Sequence, residues 1–165
     1  MKKAYSLRAF LANAVPELRE QPERLRMFVE GGHVVSTGSD SLSFIYRYTV
    51  RAVVIDFGAD LDLLTVPVLL WLREHEPELL ANKERRENDI RFDVELLNGQ
   101  ALDLVMQIDL TERVVVQDEV VDSRNRLTVR HPDEIWHPKP YATGDYALYL
   151  GDQIGSEWHT RPEVG

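Results

Sequence analysis

Residues 43–57, SFIYRYTVRAVVIDF, restrict the fold more than any other stretch of the chain. Alternate positions are aromatic or aliphatic, which is the period of a β-strand with one buried face. These positions are Phe44, Tyr46, Tyr48, Val50, Ala52 and Val54. The opposite face carries Arg47 and Arg51 and becomes apolar at Val53. The segment is therefore predicted to be a long strand, covered on one face and partly solvated on the other.

An amphipathic helix is predicted near the amino end. Ser6 can cap its first turn, because a hydroxyl accepts a hydrogen bond from an unpaired backbone N–H. Apolar residues follow at spacings of i, i+3, i+4 and i+7, which places them on one stripe. They are Leu7, Phe10, Leu11 and Ala14. Pro16 marks the predicted end of this helix.

A second helix is predicted to begin at Asp60 or Asp62, where a carboxylate suits the positive end of the helix dipole. Its apolar residues are too numerous for a surface helix, so it should pack across the sheet. Pro67 removes a backbone hydrogen bond and is expected to kink or restart the helix. The charged segment ANKERRENDI, residues 81–90, is interpreted as a connector.

The apolar period changes to two from Leu25 onward, which predicts a β-hairpin. Leu25 and Val29 share a face, and Val34 continues that face beyond Gly31-Gly32. A two-residue turn at the glycines would pair Val29 with Val34 and keep the apolar face intact.

Residues 91–117 predict a second hairpin whose strands are unequal in length. A two-residue turn at Asn98-Gly99 would set Val94 opposite Asp103 and place carboxylates in the core. An odd loop or a bulge, with Gly99 in the left-handed region, instead pairs Leu96 with Leu102 and Val94 with Leu104. We therefore predict the odd loop or bulge.

That register gathers four carboxylates on the face away from the core: Asp93, Glu95, Asp103 and Asp109. The simplest interpretation is a solvated face, partly neutralised by arginines of neighbouring strands. A second is the acidic wall of a channel that passes DNA without holding it. A third, a metal-dependent nuclease, requires carboxylates that converge, whereas alternating strand positions spread them out.

Composition excludes several classes of protein. The 165 residues include 19 basic and 28 acidic side chains, a formal net charge of −9. Lysine and arginine form no dense stripe, so broad nucleic-acid binding is not expected. The chain has no cysteine, which removes disulfides, thiolate metal sites and a cysteine nucleophile. Arg8 interrupts what would be the apolar region of a signal peptide, and no window approaches a membrane span. We expect a soluble intracellular protein.

Catalytic and metal-binding motifs give no candidate. The chain contains no GxSxG, P-loop, GxGxxG or HExxH sequence. His131, Asp133 and His137 lie in a proline-rich stretch whose spacing matches no familiar ligand set. We therefore predict no enzyme, no cofactor and no metal.

Five blocks of sequence carry a resemblance to a known family. They are MKKAYSLRAFLANAVPELREQPERL, FVEGG, SLSFIYRYT, DFGADLDLLTVPVLLWLREHEPELLAN and LTERVVVQ. In this order, over residues 1–117, the chain resembles the tail completion protein R family of temperate contractile-tailed bacteriophages. The matching blocks do not extend beyond about residue 120.

The resemblance implies a late-acting structural protein that completes the tail after tube and sheath have polymerised. Similar tail terminators are small α+β subunits that form a hexameric ring on the tube end and face the head connector. The implied partners are other copies of the chain, the tail tube protein, the sheath and the head-neck connector. DNA would pass through the ring without specific binding. The protein would assemble in the host cytoplasm and remain in the virion tail.

The longer strand of the second hairpin ends in Val114, Val115 and Val116, a β-branched run that would be aggregation-prone at an open edge. Pairing with a neighbouring subunit would cover it, and a closed ring repeats one heterologous interface. Alternatively, the run continues the sheet beside residues 43–57. Both arrangements remain open at this point.

The last forty-odd residues are rich in proline, which argues for extended segments. They also contain more aromatic residues than a linker needs: Trp136, Tyr141, Tyr146, Tyr149 and Trp158. We expect an arm that lies on an adjacent subunit or partner, because tryptophan and tyrosine dominate interface energetics. The alternative is an arm folded back on its own domain.

The sequence thus predicts an α+β domain, residues 1–117, and an extended aromatic-rich arm, residues 118–165. The domain is expected to hold a mostly antiparallel sheet of about five strands with two helices on one face. A tail-completion ring is the expected function. A head-side neck connector and a carboxylate-metal nuclease are the alternatives.

Overall fold

The computed structural model describes residues 1–36, 38, 40–97, 99, 101–132 and 144–160. The helices are α1 (Lys2–Ala14), α2 (Pro16–Glu20), α3 (Asp62–His75), α4 (Pro77–Ala81) and α5 (Lys83–Asn88), with a 3-10 turn at Pro22–Arg24. The strands are β1 (Leu25–Ser36), β2 (Phe44–Phe57), β3 (Ile90–Leu96), β4 (Leu102–Val121), β5 (Arg124–Arg130), β6 (Gly144–Leu150) and β7 (Gln153–Thr160).

The main sheet has five antiparallel strands, as the sequence predicted. Four follow the order β1-β2-β4-β3, and β5 pairs with the far part of β4. Strands β6 and β7 form a separate two-stranded sheet. The α+β class is confirmed, and β4 with its 20 residues is the longest element.

The register predicted for the second hairpin is confirmed. Leu96 lies opposite Leu102, and Val94 lies opposite Leu104. Gly99 has φ +99, a conformation that suits a residue without a Cβ. Apolar residues of both strands therefore share the face that packs on the helices.

The predicted hairpin at Gly31-Gly32 is wrong, because β1 is one continuous strand beside β2. Glu30 pairs with Thr49 and His33 pairs with Arg47, so two residues of β1 oppose one of β2. Gly31 has φ +60, as expected of a bulge residue in the left-handed region. A bulge moves the inward-facing side chains from odd to even positions. It thus produces the same apolar pattern, Val29 followed by Val34, that we interpreted as a turn.

The helices follow the predicted stripes but differ in their ends. Helix α1 begins at Lys2, so Ser6 lies inside it and its Oγ instead accepts a hydrogen bond from Trp71 Nε1 at 3.1 Å. Helix α3 begins at Asp62 and continues through Pro67, so of the predicted kink or restart the restart does not occur. Residues predicted as a connector contain α5, whose first turn is capped by Asn82 Oδ1 accepting from Arg85 N at 3.1 Å.

The core lies between the sheet and helices α1 and α3. The largest side chains with almost no exposure include Trp71, Phe57, Leu7, Leu11, Leu64, Leu72, Leu104, Ile108 and Leu110. The two predicted helices thus share one hydrophobic cluster with β2 and β4. The apolar stripe predicted for α1 is confirmed, with Leu7, Leu11 and Ala14 buried.

The carboxyl-terminal hairpin β6–β7 packs on α1 rather than extending away. Asn13 Nδ2 donates to His159 O at 2.9 Å, and Ser156 Oγ donates to Ala14 O. For residues 144–160 the structure therefore has the folded-back arrangement. Strand β4 also runs through the boundary predicted between residues 117 and 118.

No helix among the described residues combines the length and the apolar character needed to cross a membrane.

Candidate assembly surfaces

Glu112 is a buried carboxylate of β4 that holds the beginning of α1. It accepts hydrogen bonds from Lys2 N at 3.1 Å and Lys3 N at 2.9 Å, and from the Tyr48 hydroxyl. The first N–H groups of a helix have no partner inside the helix, so this side chain satisfies two of them. Burial raises the pKa of Glu112, but the hydrogen bonds from Tyr48 and Lys3 outweigh it and hold that pKa below its usual range.

Glu76 is a second buried carboxylate, placed where α3 ends and α4 begins. It accepts from Lys3 Nζ at 2.9 Å and from Thr111 N at 2.6 Å. Thr111 lies on β4 three residues beyond Ile108, the last residue paired with β3. Glu76 therefore accepts a hydrogen bond from a backbone amide that β3 does not pair with. Burial raises the pKa of Glu76 despite the opposing influence of Lys3. Both carboxylates thus tie helices to β4.

Neither buried carboxylate was predicted, although the sequence carries a signal for Glu112. Inward-facing residues of β4 fall at even positions, and all those from Leu104 to Val114 are apolar except Glu112. A charge in phase with a buried stripe requires partners, because an unpaired buried carboxylate is very costly. Glu76 gives no comparable signal, since its burial depends on the break between α3 and α4.

The four predicted acidic residues lie on the face opposite the core but in different environments. Asp109 accepts from Arg91 at 3.0 and 3.1 Å and from Thr49 Oγ1 at 2.6 Å. Partial burial raises the pKa of Asp109, but the Arg91 and Thr49 hydrogen bonds hold it below the usual range. Asp103 Oδ1 accepts from Asp56 N at 2.8 Å. Asp93 and Glu95 point into solvent from β3.

The same face carries arginines, so its charge is mixed. Odd-numbered residues of β2, β3 and β4 face away from the core and include Arg47, Arg51, Arg91 and Arg113. A cleft of about 690 Å³ reaches this face near the open edge of β4. Its lining combines Arg47 and Arg113 with Asp109 and Glu76. The cleft therefore offers polar contacts of both signs. Among the described residues no group of three acidic or histidine side chains is arranged to hold a metal ion.

The valine run predicted as an interface has partners inside the chain. Val114 is buried opposite Phe44 of β2, which is the continuation of the sheet that we gave as the alternative. Val115 pairs with Arg130 and Val116 with Val129, both in β5. A subunit contact at this run would thus involve the outer surfaces of strands that are already paired.

The predicted aromatic anchors divide into three groups. Trp158 is only 7% exposed, with its ring stacked on Tyr146 at 5.3 Å and edge-on to Phe10 at 6.3 Å. Tyr149 is 53% exposed and remains available to a partner. Trp136 and Tyr141 lie outside the residues that the structure describes.

A projecting hairpin made of the end of β4 and β5 was missed by sequence analysis. Its apolar residues Val120, Leu127 and Val129 are 73%, 54% and 58% exposed. The turn residues Asp122 and Ser123 both have positive φ, the geometry of the tightest two-residue hairpins. The signal was present as the alternation of polar and apolar residues in RNRLTVR, residues 124–130.

Residues 1–135 match the family described as P2 phage tail completion protein R (GpR). The protein is therefore a structural protein of a phage tail. The chain belongs to the GpR family. Its relative "Tail completion protein R" of Escherichia phage P2 is 39% identical over 158 residues, 96% of this chain and 99% of that protein. The similarity therefore continues past the blocks found by sequence analysis. No solved structure matches the chain.

Proposed function

We propose that the chain completes the phage tail by forming a closed ring, hexameric by similarity to tail terminators, on the end of the tail tube. Membership of the GpR family carries this proposal. The open strand edges and exposed apolar side chains of the chain support it, since such surfaces promote association with other chains. The role is non-enzymatic. Assembly takes place in the host cytoplasm, and the ring then stays in the virion tail.

The ring contacts the tube and also offers a surface to the head-neck connector and the sheath. DNA passes through it without specific binding. We assign the mixed-charge face with Asp93, Glu95, Asp103 and Asp109 to the lumen, where carboxylates would lower the adhesion of DNA. On this assignment, placing lysine at Asp103 and Asp109 slows DNA release from the virion while the oligomer persists. Unchanged release would contradict the assignment.

Labelled protein mixed with purified tail tubes tests the proposed function directly. Electron microscopy is expected to show label at one end of each tube and a tube length that stops increasing after addition. Purified neck components, offered in a parallel pull-down, separate tube binding from the head-side connector role. Binding to the neck alone, with tubes that continue to grow, would contradict a tube-capping function.

A further inference from the structure

Strands β3 and β5 are both edge strands of the main sheet. In the described part of the chain each pairs with β4 alone. An edge strand presents a row of backbone N–H and C=O groups that can accept another strand. Both edges are also exposed: Phe92 and Leu96 of β3 are 59% and 81% accessible, and Leu127 and Val129 of β5 are 54% and 58% accessible.

The side chains of the two edges are complementary on both faces. On one face β3 presents Ile90, Phe92, Val94 and Leu96, and β5 presents Leu127 and Val129. On the other face β3 presents Asp93 and Glu95 beside Arg91, whereas β5 presents Arg124, Arg126 and Arg130 beside Thr128. Apolar residues thus meet apolar residues and carboxylates meet guanidinium groups when the two strands lie side by side.

We infer that β5 of one copy adds to β3 of a second copy as an antiparallel strand, with Leu127 opposite Phe92. This register sets Val129 opposite Ile90, Arg126 opposite Asp93 and Arg124 opposite Glu95. It also brings Arg130 opposite Asp89, the residue that precedes β3. Each such cross-strand pair favours the contact.

Arg91 decides between this register and its neighbours. In the inferred register Arg91 lies opposite Thr128. A shift of two residues in either direction places it opposite Arg126 or Arg130, and the parallel registers that set Phe92 or Val94 opposite Leu127 place it opposite Arg126 or Arg124. The remaining parallel register, with Ile90 opposite Leu127, leaves Val94 and Glu95 beyond the end of β5. Like charges directly opposite each other are destabilising. Arg91 forms an ion pair with Asp109, which holds its side chain on this face of the sheet.

The inferred contact deepens the proposed ring and rests on it. Because β3 and β5 are different strands, each such contact joins unlike elements and can repeat from copy to copy until the ring closes. Within one chain, Arg126 Nε already lies 3.8 Å from a carboxylate oxygen of Glu119 on β4. In the inferred contact Arg126 would therefore bridge two carboxylates, Glu119 of its own copy and Asp93 of the next, while Arg124 gains Glu95 from the neighbouring copy.

The chain contains no cysteine, so a designed cysteine pair can report the register. Val94→Cys together with Asn125→Cys places the two thiols directly opposite each other across the inferred contact, within reach of a disulfide. Mild oxidation is expected to yield a ladder of covalent oligomers that reductant removes. Either single variant should give no such ladder. The shifted pair Val94→Cys with Leu127→Cys is the matched control and should crosslink far less.

Charge reversal tests the contact without crosslinking. The variant with Asp93→Arg and Glu95→Arg and the variant with Arg124→Glu and Arg126→Glu should each remain monomeric by light scattering, and a chain that carries all four changes should assemble again. An unchanged melting temperature shows that each variant folds. If both two-site variants assemble like the wild type and the cysteine pair forms no ladder, the contact is wrong while the ring proposal stands.

The outcomes also separate this contact from the lumen assignment and from the proposed function. An oligomer that persists in the Asp93→Arg and Glu95→Arg variant overturns the strand contact, whereas the lumen assignment is tested separately at Asp103 and Asp109. A wild-type chain that stays monomeric and does not bind tail tubes overturns the ring and the contact together.

Discussion

At the scale of single residues, the two buried carboxylates Glu112 and Glu76 connect helices to β4. Both lie almost completely out of solvent, and each accepts hydrogen bonds from groups far away in the sequence. Glu112 joins β4 to the start of α1, and Glu76 joins the α3–α4 junction to β4 and to Lys3. Their pKa values move in opposite directions, which gives each a distinct signature in the pH dependence of stability.

Glu112→Gln is expected to lower the free energy of unfolding at neutral pH by about 1–3 kcal/mol, because a charged acceptor of several hydrogen bonds becomes neutral. The folded-state pKa of Glu112 lies below its ordinary value. Its contribution is therefore present above the ordinary pKa and is lost as pH falls through the folded pKa. Urea unfolding should show the difference between wild type and variant shrinking as the solution is acidified.

Glu76→Gln is the matched control, and its trend should have the opposite sign. Burial raises the pKa of Glu76, so its contribution is present below the ordinary pKa and is lost as pH rises through the folded pKa. The wild type should lose stability relative to this variant as pH rises. The same trend in both variants would contradict the assigned roles.

At the scale of elements, the regular period of the long strands made most of the sheet predictable. Register in the β3–β4 hairpin followed from the requirement that Asp103 stay out of the core, and the structure has that register. The bulge in β1 was not predictable, because a turn and a bulge both move the apolar face by one residue. What distinguishes them is the pairing of β1 with β2, a contact between segments that are not adjacent in sequence.

The candidate surfaces were less predictable than the sheet. The alternation of residues along the strands was enough to assign the exposed carboxylates to one face. It did not identify the partners of these carboxylates, because the Arg91–Asp109 ion pair depends on the neighbouring strand. Trp158 was assigned to a subunit contact because aromatic residues favour interfaces. The structure instead places it against Phe10 of the same chain. Composition alone does not distinguish these two kinds of burial.

Trp158→Ala is expected to detach the β6–β7 hairpin from α1, because it removes the stacking on Tyr146 and the edge contact with Phe10. Truncating a buried tryptophan costs about 3–5 kcal/mol when it lies in a core. Hydrogen exchange should become fast in residues 144–160 and stay slow in β2 and β4. Tyr149→Ala, at an exposed position, serves as the control and should leave exchange unchanged. Slow exchange of the hairpin in both variants would contradict this anchoring role.

At the scale of the whole molecule, the chain combines a closed core with open edges. Helices α1 and α3 cover one face of the sheet, and the other face carries charges of both signs. The projecting β4–β5 hairpin and the β3 edge expose apolar side chains at different places on the surface. Two different exposed apolar surfaces on one chain favour head-to-tail association. Head-to-tail association closes into a ring when the rotation between copies allows it.

Native mass spectrometry of the purified chain, alone and with tail tube protein, tests this account most directly. The account predicts one closed oligomer of defined stoichiometry, a hexamer, in at least one of the two samples. A monomer at every protein concentration, with and without tube protein, would contradict it.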